Sequence, residues 1–215
     1  MNARLLILGA GGHGKVVADC AAAQGRWSEI AFYDDRWPAL QTCARWPVIG
    51  GGEDLLRAER QSAEAFVAIG EAKTRLAWIE RLRAAKFALP TIVHPAAVVS
   101  PGATLGAACL VVAGAIVNIG ARLDDGVIVN TAASVDHDCV IGAGAHICPG
   151  VRLGGDVKVG RGAWVGIGAS VRQGVTIGAG ATIGAGAAVV RDIADGVTAH
   201  GVPARPAQQA QGKGR

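Results

Sequence analysis

The sequence predicts a small α/β unit, half of a Rossmann-like dinucleotide fold, followed by a solenoid of very short strands. Three observations predict it. Branched aliphatic residues recur at every sixth position from Val93 to Val189, seventeen times without an insertion. Most of the 32 glycines fall after residue 100. Before residue 90, short apolar runs alternate with helix-like segments, and the first such pair is joined by Gly9-Ala10-Gly11-Gly12-His13-Gly14. A period of six matches neither the helical 3.6 nor the alternation of a half-buried strand. It suits coils of three short strands, each aliphatic pointing inward and stacking on its counterpart eighteen residues on, with glycine at the corners.

In chain order, Arg4–Leu8 reads as a buried strand, and a helix is expected from about Lys15 to Gln24, closed by Gly25. Strands are expected at Glu29–Tyr33, Pro47–Gly52 and Ala65–Ile69, and a short helix at Asp54–Arg60. Glu71–Lys86 is amphipathic, with Leu76, Ile79, Leu82 and Phe87 near one face, and Leu89–Val93 reads as a strand that feeds the solenoid. Within the repeat a small or modest apolar residue follows each aliphatic by four positions, from Ala97 to Ala187 and Ile193. The expected division is 1–90 for the α/β unit, 91–197 for the solenoid and 198–215 for a C-terminal segment whose last ten residues form a loose tail.

Composition excludes several classes. A net charge of +4 and no aromatic-interleaved basic stripe argue against nucleic-acid binding. Five cysteines with no CxxC spacing read as small apolar residues in a reducing compartment, neither a disulfide framework nor a zinc site. No signal peptide and no membrane span are predicted, so a soluble cytoplasmic protein is expected.

Two stretches carry chemistry. The glycine loop lies between a strand and a helix, with Asp34 and Asp35 about twenty residues on. Glycine permits close approach of a phosphate, and a helix N-terminus offers N–H groups and a positive dipole end. The chain has room for one mononucleotide half before the repeat begins, so the loop is read as cradling one nucleotide, with Asp34 or Asp35 on a base or ribose edge. His13 is placed to reach a phosphate, and equally suits a surface position capping the helix.

The second stretch is Asn130-Thr131-Ala132-Ala133-Ser134-Val135-Asp136-His137-Asp138-Cys139, followed by His146. Asn118 lies one coil before Asp136, and His146 one coil before Trp164. A neutral imidazole takes a proton from an attacking amine or hydroxyl, and a neighbouring carboxylate fixes its tautomer. No GxSxG elbow is present, which favours direct attack on a bound thioester over an acyl-enzyme. His146 or a corner N–H suits the donor role toward the oxyanion, while His146 also suits simple packing on Trp164.

The hexapeptide repeat is similar to that of left-handed β-helix acyltransferases. GAGGHGK, FYDD, VAIG, NTAASVDHDCVIG and HGVPAR together resemble bacterial sugar acyltransferases related to sialic-acid O-acetyltransferase. Within that group they look most like the nucleotide-4-amino-sugar N-acetyltransferases of the UDP-bacillosamine and GDP-perosamine type. The resemblance covers residues 4 to about 206. It implies a left-handed parallel β-helix, a homotrimer with active sites between neighbouring helices, acetyl-CoA as cosubstrate, no metal, and a nucleotide-linked amino sugar as acceptor for surface polysaccharide synthesis. It puts the base on His137 with Asp138 as partner. It puts His146 and Asn118 near the acetyl group, and Gly166, Gly168, Ala169, Ala185, Gly186 and Arg205 along CoA. Gly11, Gly12, His13, Asp34, Asp35, Arg36 and Gly70 fall on the nucleotide-sugar side. Relatives often carry Lys after the DD pair and Glu after the base; Arg36 and Asp138 keep the charge and change the reach. The alternatives are a sugar O-acetyltransferase and a non-catalytic or carbonic-anhydrase-like β-helix, which needs three histidine ligands; only His94, His137 and His146 lie in or near the repeat, irregularly spaced.

Overall fold

The computed structural model describes residues 3–207, so residues 208–215 of the expected tail lie outside the described residues. The first unit holds a parallel sheet, β1 (Arg4–Leu8), β2 (Glu29–Tyr33) and β5 (Ala63–Val67), ordered β2-β1-β5. Between β2 and β5 lie a small antiparallel pair, β3 (Thr42–Cys43) and β4 (Trp46–Pro47), and a short helix α2 (Gly52–Arg57). Helix α1 (Gly12–Gln24) follows β1, and α3 (Ala72–Ala84) follows β5.

Several boundaries differ from the sequence reading for local reasons. Helix α1 begins at Gly12, three residues before the apolar period becomes visible at Lys15, because its first turn is made of glycines and His13. Gly14 is required there: a Cβ would sit 2.1 Å from the Gly9 carbonyl oxygen. Helix α2 starts at Gly52 because Asp35 Oδ1 accepts from its N–H at 2.8 Å and Asp54 Oδ2 accepts from the N–H of Gly51 at 2.9 Å. Of the run Pro47–Gly52, Pro47 ends β4, Val48 bridges Phe32, and Gly52 opens α2. Strand β5 starts two residues earlier than expected, in register with β1 from Arg4–Ala63 to Leu8–Val67. Leu89–Val93 is not one strand: Ala88 bridges Glu64, Pro90 interrupts, and Ile92–Val93 is already the first strand of the solenoid.

The solenoid is a parallel β-helix, mostly of two-residue strands, in three sheets of six, five and eight strands; the last ends with Thr198–His200 and with Arg205–Pro206, which pairs antiparallel to it. Pairing runs eighteen residues apart, as in Ile116 to Ser134, Arg122 to Val140 and Ile128 to His146. The inward aliphatics and the small residues four positions later form one continuous core. The last coil is two residues short: Ile177 bridges Ile193, and Thr182 pairs with Thr198. Ile193 therefore fills the main aliphatic position rather than the small-residue position expected of it. All five cysteines are buried and free.

Two contacts lock the units together. Outward positions on the solenoid are mostly polar or exposed, yet Ile92, Leu110 and Ile128 stack in one outward column and are buried in a common core with Val17 and Ala18 of α1. On another side, α3 lies on the corner glycines: a Cβ on Gly126 would meet Ile79 Cδ1 at 2.7 Å, and one on Gly144 would meet Leu76 Cδ1 at 2.7 Å. Arg75, 1% exposed, pins this contact. Its Nε donates to Gly126 O at 3.0 Å, Nη2 to Gly144 O at 2.6 Å, and Nη1 to Ile69 O and Gly70 O at 2.7 and 2.6 Å. Burial lowers its pKa only to about 10, so it stays a cation, solvated by four carbonyls instead of water.

Candidate active site

His137 and Asp138 occupy a corner between the strands Ser134–Val135 and Val140–Ile141. Both are exposed. Asp138 takes φ +60° at a position where most corners carry glycine. It has room because Gly120 stands one coil before it, where a Cβ would meet Asp138 Oδ1 at 2.4 Å. His137 Nδ1 and Asp138 Oδ2 are 2.9 Å apart. The hydrogen bond to Asp138 is the largest cause of a raised His137 pKa, with Asp136 and Asp156 adding to it. In the neutral ring the proton sits on Nδ1, donated to the carboxylate, and Nε2 is left as the acceptor. Asp136 holds the backbone of this corner. Its Oδ1 accepts from Asn118 Nδ2 at 2.7 Å and from the His137 N–H at 2.8 Å, and these bonds depress its pKa. The stacking of Asn118 on Asp136 is thus as expected, and Asn118 acts first on the turn that presents His137.

His146 sits differently. It points outward from the third sheet, next after Ile128 in the column that α1 covers, and is 6% exposed. Its ring lies 4.3 Å from that of Trp164, edge to face, and 6.1 Å from that of His13 at the start of α1. Asn130 Oδ1 accepts from the Thr131 N–H at 2.8 Å, which turns Asn130 Nδ2 toward His146 Nε2 at 3.0 Å. With Nε2 accepting, the proton lies on Nδ1, and Nδ1 is buried with no hydrogen-bond partner. His13 Nε2 is likewise buried and unpartnered. Burial, reinforced by neighbouring cationic groups including Arg75, pushes the His146 pKa down to about 3 and that of His13 to about 4. Two neutral imidazoles with orphan nitrogens therefore meet where the glycine loop touches the solenoid. The packing on Trp164 was legible as an eighteen-residue offset. The His13–His146 meeting and the role of Asn130 were not, although the apolar outward column of Ile92, Leu110 and Ile128 marks where a helix must dock.

In the glycine loop, Gly11 is the N-cap of α1, and a Cβ on Gly11, Gly12 or Gly70 would meet nothing within 4 Å, so these faces are open. Asp34 Oδ2 accepts from the Ala10 N–H at 2.8 Å, and Asp34 Oδ1 accepts from Arg36 Nε at 2.7 Å. Arg36 holds the Asp34 carboxyl well below the usual carboxylate range. Asp35 caps α2 with one oxygen, while both oxygens of Asp34 are taken by Ala10 and Arg36. Along the solenoid, Gly166, Gly168, Ala169 and Gly186 commit their N–H groups to the carbonyls of Ile183, Pro149, Gly166 and Ile167. Ala185 and Gly186 are exposed at a corner, and Arg205 is exposed in the strand Arg205–Pro206 that ends the third sheet. Among the described residues no three His, Cys, Asp or Glu side chains gather as a metal site, and no helix is long and apolar enough to cross a membrane.

His137 and His146 share a coil but not a direction. The corner of His137 joins the first and second sheets, and His146 faces out from the third. In a three-sided coil a corner lies opposite the third face, so one chain presents the two histidines on opposite sides.

Residues 4–82 match the family described as PglD N-terminal domain, and residues 156–191 match bacterial transferase hexapeptide (six repeats). The acetyltransferase domain of PglB from Neisseria gonorrhoeae FA1090, solved in complex with acetyl coenzyme A, is 46% identical with TM-score 0.93, over 96% of this chain and 100% of that one. PerB from Caulobacter crescentus, solved with CoA and GDP-perosamine, is 40% identical with TM-score 0.90, over 95% and 97% of the two chains. A variant of the Caulobacter GDP-perosamine N-acetyl transferase with one histidine replaced by alanine has been solved with the same two ligands. UDP-N-acetylbacillosamine N-acetyltransferase of Bacillus subtilis (strain 168) is 37% identical over 108 residues, 49% of this chain and about half the length of that relative (50%). The chain belongs to the family in which a PglD-type N-terminal domain is joined to a hexapeptide-repeat acyltransferase β-helix.

Proposed function

We propose that this chain transfers the acetyl group of acetyl-CoA to an amino group, at C4, of a nucleotide-linked amino sugar, with His137 as general base. The observation that carries the reading is the His137–Asp138 pair: at 2.9 Å the carboxylate holds the Nδ1 proton and leaves Nε2 free to accept one. His137 takes the proton that the amine sheds as its nitrogen bonds to the acetyl carbon. Asp138 stabilises the imidazolium so formed. The tetrahedral adduct then breaks its C–S bond, and CoA leaves as the thiol with the proton that the imidazolium gives back. Buried and neutral, His146 offers its Nδ1–H as a donor to the acetyl oxygen, which fits its unpartnered state. The relatives' solved ligands, acetyl-CoA for PglB and CoA with GDP-perosamine for PerB, support the same pair of substrates.

The division of labour follows from placement. Residues 1–90 hold the nucleotide-sugar through Gly11, Gly12, His13 and Gly70, with Asp35 and the Asp34–Arg36 pair on the base and ribose side. Residues 91–197 carry the chemistry and, with Arg205 from the C-terminal segment, bind CoA. Four of the five backbone positions assigned to CoA have committed their N–H groups, so those amides are not free to donate to the cosubstrate.

A homotrimer completes the site. His137 and His146 face opposite ways in one chain, so a neighbouring copy must bring its third face to this corner. That contact is heterologous and closes as a ring. Beside the corner, Ile119 is 66% exposed, and Val98 and Ile116 are exposed on the adjoining sheet, which suits burial against a second copy. A cytoplasmic location fits a nucleotide-activated acceptor.

The test is acetyl transfer followed by thiol release from acetyl-CoA, with UDP- and GDP-linked 4-amino sugars set against sialic acids. Turnover with an amino sugar is expected. Turnover confined to a hydroxyl acceptor, or wild-type turnover by His137→Ala, would sink the reading. Light scattering of the same protein is expected to give three times the chain mass.

A further inference from the structure

We propose that Gly155 is a positioning residue for His137: the missing side chain at this one corner gives the imidazole its place beside Asp138. The inference rests on His137 being the base.

From Pro95 to Asp195, every other turn of the solenoid carries a side chain at its first position, including Ile119 one coil before His137 and Gln173 one coil after Gly155. Gly155 stands directly after His137 in that column and is buried beneath it. A Cβ there would lie 2.4 Å from His137 Nε2, 2.5 Å from Cε1 and 3.1 Å from Cδ2. These are ring atoms of a side chain already tied at Nδ1, so the ring cannot yield without leaving Asp138. The backbone gives no competing reason for glycine, because Gly155 is not among the residues with positive φ. Glycine is kept at the second position of many corners for its left-handed conformation; at Gly155 the reason is space.

The experiment is a double-mutant cycle of Gly155→Ala and His137→Ala, read by thermal stability, by kcat and KM, and by the NMR titration of His137 in the single Gly155→Ala variant. The groups facing His137 are the carboxylates of Asp136, Asp138 and Asp156. With His137 present, Gly155→Ala is expected to lower kcat by on the order of 10- to 100-fold. The KM for acetyl-CoA should change little, and the His137 titration should move to lower pH as the bond to Asp138 is lost. With His137 removed, the same substitution should leave both stability and residual turnover unchanged. Equal losses of stability in both backgrounds, or an unmoved His137 titration, would overturn the proposal. If instead His137→Ala alone keeps full turnover, the general-base reading fails, and the stability cycle still decides whether Gly155 seats the ring.

Discussion

The corner of His137 and the seam of His146 use the same side chain to opposite ends. At the corner the ring is open to solvent and bonded to a carboxylate, so its proton affinity rises. At the seam the ring is enclosed by Trp164, Asn130 and His13 with Arg75 nearby, and its affinity falls to a pKa of about 3. Solvent plus an anion makes a group that gains a proton and gives it up to water. Enclosure without an anion makes a group that stays neutral and presents one fixed N–H. The acyl transfer proposed for this chain uses the two as base and donor, and the solenoid carries them on two sides of the same coil.

The largest effect should come from breaking the first half of this contrast. His137→Ala is expected to lower kcat roughly 100- to 10,000-fold, while acetyl-CoA still raises the melting temperature by mass action. Steady-state kinetics and a thermal-shift titration check the two parts together. A variant that loses both has lost its fold or its assembly, and would say nothing about the base.

Next comes the link between the two units. Arg75→Met keeps the volume and removes five donors, leaving the carbonyls of Ile69, Gly70, Gly126 and Gly144 without them. Each buried carbonyl left without a partner costs roughly 1–3 kcal/mol. Allowing for relaxation, a fall in Tm on the order of 10 °C is expected by calorimetry. An unchanged Tm would mean that the two units are held by the α1 seam alone.

Asp138→Asn should act more gently, because an amide keeps the shape of the corner and loses the charge. A drop in kcat of roughly 10- to 100-fold is expected. The raised His137 pKa predicts that activity climbs with pH through a midpoint above the ordinary 6.5. The Asn variant should move that midpoint down. A pH–kcat/KM profile with the same midpoint in both proteins would show that Asp138 does not set the proton affinity of His137.

How much of this was visible in the chain follows from the physics of each part. The solenoid repeats one local solution, so the period alone places His137, Asn118 and Trp164, and the stacking of Asn118 on Asp136 was a matter of subtraction. It failed only where the last coil is short and Ile193 changes role. The α/β unit has no such ruler: glycines hide the first turn of α1, and Pro90 divides a run that hydropathy reads as one strand. Contacts between units were the least legible. His13 meets His146 only because α1 lies along an outward apolar column, and Arg75 looked like any charged residue on an amphipathic helix until its four carbonyl partners came from three separate segments.

The smallest effect tests the second half of the contrast through stability. His146 is neutral in the folded chain, with a pKa of about 3, while an unfolded histidine binds a proton below about 6.5. Its contribution is therefore fully present above pH 6.5 and is lost as pH falls toward 3, with His13 acting in the same direction from a pKa of about 4. His137 acts the other way: its raised pKa adds stability below 6.5, and this is lost as pH rises through the folded value. His146→Phe keeps a flat ring against Trp164 and has no proton to gain. Between pH 7.5 and pH 5 the wild type should lose on the order of 1–2 kcal/mol more unfolding free energy than this variant, measured by denaturant melts. The comparison uses the difference between two pH values, so the lost contact with Asn130 cancels. Equal losses would mean that His146 takes up its proton in the fold as readily as in the unfolded chain, and the seam would then hold a second cation near Arg75.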